Sequence, residues 1–155
     1  MKPDTAVTIS AGALLLIDSL IKAGTIAVKG ESAGVAHGLA RWRELVHQGA
    51  SALKSDDDFA LSRICRLAFA KRPLASENYQ ESVGFHLIGL PEVYVPKSHR
   101  SEREGVALMD AVADDITRNG LEPTLKDRGA SLSFASIYAE DDFKFNPYGI
   151  VKLAS

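Results

Sequence analysis

The clearest structural signal in the chain is a helix whose two ends are both marked in the sequence. Ser101 and Glu104 form the S-x-x-E pattern of a capping box, in which each side chain accepts a hydrogen bond from the other residue's backbone N–H. Gly120 is a residue type that commonly ends helices. We therefore predict a helix over residues 101–119, and its buried stripe is Gly105, Met109, Val112 and Ile116.

Two earlier segments also carry apolar residues at helical spacing. Residues 5–23 predict a helix that ends before Gly24. A second helix is predicted from Val35 to about Leu53. The expected buried stripe of the first is Ile9, Ala13, Leu16, Ile17 and Leu20, and that of the second is Val35, Leu39, Trp42, Val46, Ala50 and Leu53.

Short runs rich in β-branched and aromatic residues predict strands. The sequence TIAVK, at residues 25–29, has a glycine on each side. A second β-rich segment covers residues 83–95, and we expect His86 to lie within it as a half-buried, hydrogen-bonded histidine. Two further strands are predicted at residues 132–138 and 148–153.

Residues 55–72 carry two conflicting patterns. Aspartates at the start and Lys71 and Arg72 at the end match the helix dipole. Apolar residues at nearly every second position match a strand instead. We favour a strand over residues 63–70 and keep the helix as the alternative.

These segments together predict an α+β fold. Their order is α-β-α-β-β-α-β-β, which gives a mixed or mostly antiparallel sheet with three helices packed on it. A chain of 155 residues with 46% hydrophobic and 25% charged residues has the size and composition of one globular domain. We therefore expect a single α+β domain over residues 1–155.

Charge and hydropathy limit the classes of partner and the location. A net charge of −2 produces no field that would attract nucleic acid or an anionic membrane. No apolar run approaches the roughly 20 residues that span a bilayer. Cys65 is the single cysteine, so it cannot form an internal disulfide, and we expect it to be a small core residue. We predict a cytoplasmic protein that binds neither nucleic acid nor membrane.

The sequence GESAG, at residues 30–34, matches the G-x-S-x-G turn of serine hydrolases and lies between a predicted strand and a predicted helix. Only 29 residues precede it, which is too few for the upstream strands of that fold. We favour Ser32 as a helix cap. The alternatives are a small serine esterase or amidase that uses Ser32 with His37 or His86, and a small-anion site at the helix after Gly34.

The sequence predicts no metal site and no cofactor. His37 and His47 are ten positions apart on the predicted helix, about 80° from each other, so they cannot form a metal-binding pair one turn apart. The acidic clusters at residues 56–58 and 140–142 lack the glycine and the spaced oxygens of a calcium loop.

Five sequence motifs together resemble a known family. They are GTIAVKGESAG, GFHLIGLPEVYV, ITRNG, LKDRGASL and YGIVKL, and over residues 6–153 they resemble the bacterial domain-of-unknown-function family number 4261. The resemblance implies a stand-alone bacterial α+β domain, and it carries no established catalytic residues.

A protein-binding function is the main prediction. The sequence shows no convergent nucleophile and base, no metal ligand set and no phosphate loop, so we favour a non-enzymatic module over an enzyme. The expected role is that of an immunity or adaptor protein for a toxin or secretion system. We place the contact surface on a loop within the segment Pro91 to Glu104, and its binding residues are Tyr94, Lys97, His99, Arg100 and Arg103.

Overall fold

A five-stranded sheet and the helices around it form the framework of the protein. The computed structural model describes residues 3–30, 33–98, 101–134 and 146–154. Within these ranges the helices are α1 (Pro3–Ser19), α2 (Leu39–Lys54), α3 (Asp58–Phe69), α4 (Glu102–Asn119) and α5 (Leu121–Arg128). The strands are β1 (Ala27–Lys29), β2 (Ala36–Gly38), β3 (Lys71–Ala75), β4 (Tyr79–Val83), β5 (Glu92–Pro96), β6 (Ser131–Ser133) and β7 (Ile150–Lys152), and a 3-10 helix spans Phe85–Ile88.

The sheet is mixed, as the sequence predicted. Its strand order is β3-β4-β5-β7-β6. Neighbouring strands are antiparallel except for β5 and β7, which run parallel with Val93 opposite Val151. Strands β1 and β2 form a separate antiparallel pair. The α+β class is therefore confirmed.

The predicted number of helices is wrong, because the described residues contain five helices and not three, and the predicted order of elements is confirmed only in part. The strand favoured over residues 63–70 is part of α3. The Asp57 side chain caps α3 by accepting a hydrogen bond from the backbone N–H of Ala60, at 2.9 Å. The buried apolar residues of α3 follow helical spacing, and they are Leu61, Ile64, Cys65 and Ala68.

Two other boundaries differ from the prediction. Helix α2 begins at Leu39 and not at Val35, because residues 36–38 pair with β1. Helix α5 was not predicted, since its sequence LEPTLKDR has no apolar stripe. Gly120 lies between α4 and α5 with a positive φ of 87°, a conformation that glycine adopts readily.

The capped helix is confirmed as α4. Both hydrogen bonds of the Ser101–Glu104 capping box are present, and Gly105, Met109, Val112 and Ile116 are buried as predicted. Gly105 faces Gln80 of β4 so closely that a Cβ at this position would lie 1.6 Å from the Gln80 Oε1 atom. The predicted glycine in this stripe is thus explained by a close helix–strand contact.

The core lies where the sheet meets α1, α2, α3 and α4. Its fully buried large side chains include Trp42, Leu45, Phe85, Met109 and Val112. Among the described residues, no helix combines the length and the apolar content needed to cross a membrane.

Candidate functional site

The outer side of α1 carries a row of exposed apolar side chains. Ile9 is 57% exposed, Leu16 is 61% exposed, and Leu20, just past the end of the helix, is 65% exposed. Spacings of seven and four residues place them on one side of the chain. Gly12 is also exposed, and no atom lies within 4 Å of the position its Cβ would take. We call Ile9, Gly12, Leu16 and Leu20 the α1 ridge.

The ridge is exposed because the opposite side of α1 packs more closely. That side has small residues, Ala6, Ser10 and Ala11, together with the fully buried Leu14. The Ser10 hydroxyl donates a hydrogen bond to the carbonyl of Leu87, which follows His86 in the 3-10 helix. A Cβ at Gly49 of α2 would lie 2.7 Å from Leu14 Cδ2, so any larger residue at this position would force the Leu14 side chain to shift.

The predicted buried stripe of this helix is therefore wrong in part. Three of its five residues, Ile9, Leu16 and Leu20, are the most exposed apolar side chains of the segment. Ala13 and Ile17 are partly buried at the edge of the packed side. A helix with apolar residues on both sides is typical of one that packs against two neighbours, and within the described residues the ridge has no second neighbour covering it.

The predicted contact segment from Pro91 to Glu104 is buried only in its first half: residues 91–96 are buried, whereas residues 97–98 and 101–104 are exposed. Tyr94 lies in β5, only 6% of it is exposed, and its ring centroid is 6.0 Å from that of Tyr79. The prediction that Tyr94 lies on a loop is therefore wrong. Lys97 and Arg103 are exposed, whereas His99 and Arg100 lie outside the described residues.

The residues of the esterase alternative are placed only in part. Ser32 lies outside the described residues. Its neighbour Ala33 is buried against Gly84, where a Cβ would come within 3.1 Å of the Ala33 Cβ. The placement of the anion-site alternative is wrong, because no helix starts at Gly34 and α2 begins at Leu39.

His37 has a structural contact. It lies in β2. The sequence had placed it on a helix, and that prediction is wrong. Its Nε2 atom is 3.0 Å from the carbonyl oxygen of Ala68 in α3. Its ring centroid is 6.2 Å from that of Trp42. His37 therefore joins β2 to α3 and to the core.

Glu92 organises a buried polar cluster that sequence reasoning missed. It is 1% exposed and accepts hydrogen bonds from Ser82 Oγ at 2.6 Å and from the backbone N–H of Gly84 at 3.0 Å. The side-chain amide of Asn146 donates to the same carboxylate at 3.2 Å, and His86 Nδ1 lies 3.3 Å from it. These contacts join β4, the 3-10 helix, β5 and the segment before β7.

The chemistry of this cluster is structural. Ser82 donates to Glu92 and also accepts a hydrogen bond from the N–H of Val93 at 2.8 Å, so its hydroxyl is not a free nucleophile. The His86 side chain is 24% exposed. The expectation of a half-buried, hydrogen-bonded His86 is confirmed, although His86 lies in the 3-10 helix and not in a strand. The contact with Glu92 orients the His86 ring.

A second buried charged group joins α3 to α4. The Arg66 side chain is 2% exposed, and its Nη2 atom is 2.7 Å from Asp114 Oδ1 while its Nε atom is 3.1 Å from Asp110 Oδ1. Burial raises the pKa of the neighbouring Cys65 thiol to about 12, so this thiol stays protonated and unreactive. In the part of the chain that the structure describes, no group of three or more histidine, cysteine and acidic side chains could hold a metal ion.

Comparisons with protein-family models, with curated proteins and with solved structures give no match to this chain. The resemblance to the bacterial family number 4261 stays a prediction that rests on the five sequence motifs.

Proposed function

We propose that the chain is a protein-binding module and that the α1 ridge is its contact surface. The observation that carries the proposal is the row of aliphatic side chains at Ile9, Leu16 and Leu20, each more than half exposed. Burying one such side chain fully is worth about 1.5–3 kcal/mol, so a partner that covers the row gains a substantial driving force. Apolar patches of this kind on protein surfaces mark interaction sites.

The partner we propose is a protein that presents an apolar helix face along α1. From Ile9 to Leu20 the ridge covers twelve residues, a rise of about 16 Å, or three turns, at helical spacing. Gly12 lies between Ile9 and Leu16 and leaves room for a partner backbone to approach closely. Residues 5–17 contain no charged residue, so an apolar face meets no unpaired charge there.

A lipid surface is a poorer match to the ridge. Helices that lie on membranes are typically rich in lysine and arginine on their polar side. Helix α1 contains neither residue type between Pro3 and Ser19.

The narrower proposal is that the chain acts as an immunity or adaptor protein in a bacterial cytoplasm and that its partner is a toxin or a secretion component. This role is an expectation from the sequence, in which the resemblance contributes only the bacterial origin, and the proposal for the α1 ridge does not depend on it. The alternative of a small esterase or amidase that uses Ser32 with His37 or His86 stays a prediction.

A pull-down with matched variants tests the proposal. We expect the unchanged chain to recover a partner from its native lysate and Leu16→Gln to lose it, because Gln removes the centre of the ridge while keeping good helix propensity. The control is Leu53→Gln, since Leu53 is an apolar residue of α2 that is 38% exposed and lies outside the ridge.

Equal recovery by Leu16→Gln and by the unchanged chain would contradict the proposal, as would the absence of a partner in every sample. Size-exclusion chromatography with light scattering identifies a third outcome. If the unchanged chain is a dimer that Leu16→Gln converts to a monomer, the ridge binds a second copy, and the proposal of a different partner is wrong.

A further inference from the structure

A cleft of about 520 Å³ lies beside the N-terminal part of α1. It opens between the first turns of α1, the start of α3 and the junction of α4 with α5. Its apolar lining is Val7, Ile88, Leu90, Pro91, Ile116 and Leu121. This volume falls within the range of sites that bind small molecules, about 300–1,000 Å³.

Two side chains of α3 add polar chemistry to this lining. Ser62 is only 3% exposed, and its hydroxyl makes no hydrogen bond to any other described residue. Asp58 lies four residues earlier, which places it on the same side of the helix, and it forms no ion pair with the residues that the structure describes. Ser62 lines the cleft, so its hydroxyl is available to a hydrogen-bond donor of a bound molecule.

The charge at this end of α3 favours a cation over an anion. The helix N-terminus carries roughly half a positive charge, and Asp57 and Asp58 contribute two carboxylates against it. The Asp57 carboxylate accepts a hydrogen bond from the N–H of Ala60 and thereby caps the helix. Asp58 is therefore the carboxylate that can interact with a molecule bound in the cleft.

We propose that this cleft binds a small organic amine. Its apolar body occupies the space among Ile88, Leu90 and Ile116, and its ammonium group pairs with Asp58 and donates a hydrogen bond to Ser62. Val7 and Thr8 are the residues of α1 that line the cleft, and none of the four ridge residues lines it, so this inference concerns different residues from the proposed protein partner's surface.

The test is titration of the purified chain with phenylbutylamine, monitored through the backbone amide resonances of isotope-labelled protein. We expect saturable shifts at Gly89 and Gly120, two glycines that line the cleft. Phenylbutyrate has the same apolar body with a negative charge, and we expect it to bind at least about fivefold more weakly because it is repelled by Asp58.

Two variants that each remove one negative charge test whether Asp58 is the carboxylate that binds the amine. Asp58→Asn should weaken amine binding about threefold to fivefold, the effect of losing one partly exposed ion pair. Asp56→Asn should leave it unchanged, since Asp56 does not line the cleft and asparagine tolerates its positive φ of 51°. Ser62→Ala should weaken binding of the amine by a similar factor.

The proposal is overturned if the amine causes no saturable shift, if amine and carboxylate bind equally, or if Asp58→Asn and Asp56→Asn have the same effect. Leu16→Gln serves as a further control, because amine binding that is retained in this variant is separate from the ridge. Failure of the amine titration would leave the pull-down result unaffected.

Discussion

Glu92 connects four parts of the described fold, namely β4, the 3-10 helix, β5 and the segment before β7. Burying a carboxylate without partners is strongly unfavourable. Here Ser82, the backbone N–H of Gly84, His86 and Asn146 all direct polar groups at it. A fully satisfied cluster of this kind fixes the positions of the chain segments that supply its donors.

We expect Glu92→Ala to lower the free energy of unfolding by roughly 3 kcal/mol. The physical reason is that several buried donors lose their acceptor at the same time. Urea unfolding at constant m-value measures the loss. The matched control is Glu77→Ala, an exposed acidic residue in the turn before β4, for which we expect a change within about 0.5 kcal/mol. A loss below about 1 kcal/mol at Glu92 would show that the cluster does not hold these segments together.

Helix α3 shows why local patterns could not decide every element. Its apolar residues satisfy both a period of two and a helical period, so the sequence alone supported two structures. The segment forms a helix because Leu61, Cys65 and Ala68 lie on one side of it, and this side packs into the core with α2 and α4. Helix α4, by contrast, was predictable because its capping box and its stripe agree.

The capping of α3 gives a testable consequence. We expect Asp57→Ala to reduce the free energy of unfolding by about 1 kcal/mol, since the N–H of Ala60 loses its acceptor. Asp57→Asn should cost much less, because asparagine caps helices about as well as aspartate. Thermal or urea unfolding of the three proteins measures the difference. Equal losses in both variants would point to the charge of Asp57 and not to its hydrogen bond.

The α1 ridge illustrates a limit of a different kind. The sequence correctly predicted a helix over this segment but assigned Leu16 and Leu20 to the interior, because long aliphatic side chains are usually buried. The structure buries Ala6 and Ala11 instead, since Gly49 of α2 lets Leu14 approach closely. That contact is between residues 35 positions apart in the sequence, so no local pattern could reveal it.

At the scale of the whole molecule, the core draws on every layer of the fold. Trp42 from α2, Cys65 from α3 and Met109 from α4 belong to the same buried cluster as Val93 and Val151 of the sheet. The predicted mixed sheet and its late strand at residues 148–153 are present, whereas the strand predicted at residues 132–138 is β6, which ends at Ser133, and residues 135–138 lie outside the described residues.

Cys65 offers a probe of the whole fold. Its pKa is raised from 9.0 to about 12 by burial, so the thiol remains protonated in the folded protein up to about pH 12 and ionises near pH 9 once the chain unfolds. Stability is therefore lost as the pH rises from about 9 towards 12. At pH 8 we expect a thiol reagent to label Cys65 only to the extent that urea unfolds the chain.

The fluorescence of Trp42, which is 1% exposed, follows the same unfolding. Labelling and fluorescence should change together as the urea concentration is raised. Complete labelling of the native protein, without a change in the Trp42 signal, would show that the region around α3 opens independently of the rest.

The parallel pairing of β5 with β7 has a consequence for how the sheet assembles. Strand β6 is attached to the sheet only through β7, yet β7 comes later in the chain and finds its other neighbour nearly sixty residues back, at Glu92. Closing so long a loop is slow compared with forming the hairpin of β3 and β4. We therefore expect the sheet to assemble in two stages. Strands β3, β4 and β5 pair first, and β6 joins them only after β7, a strand of three residues, has paired with β5.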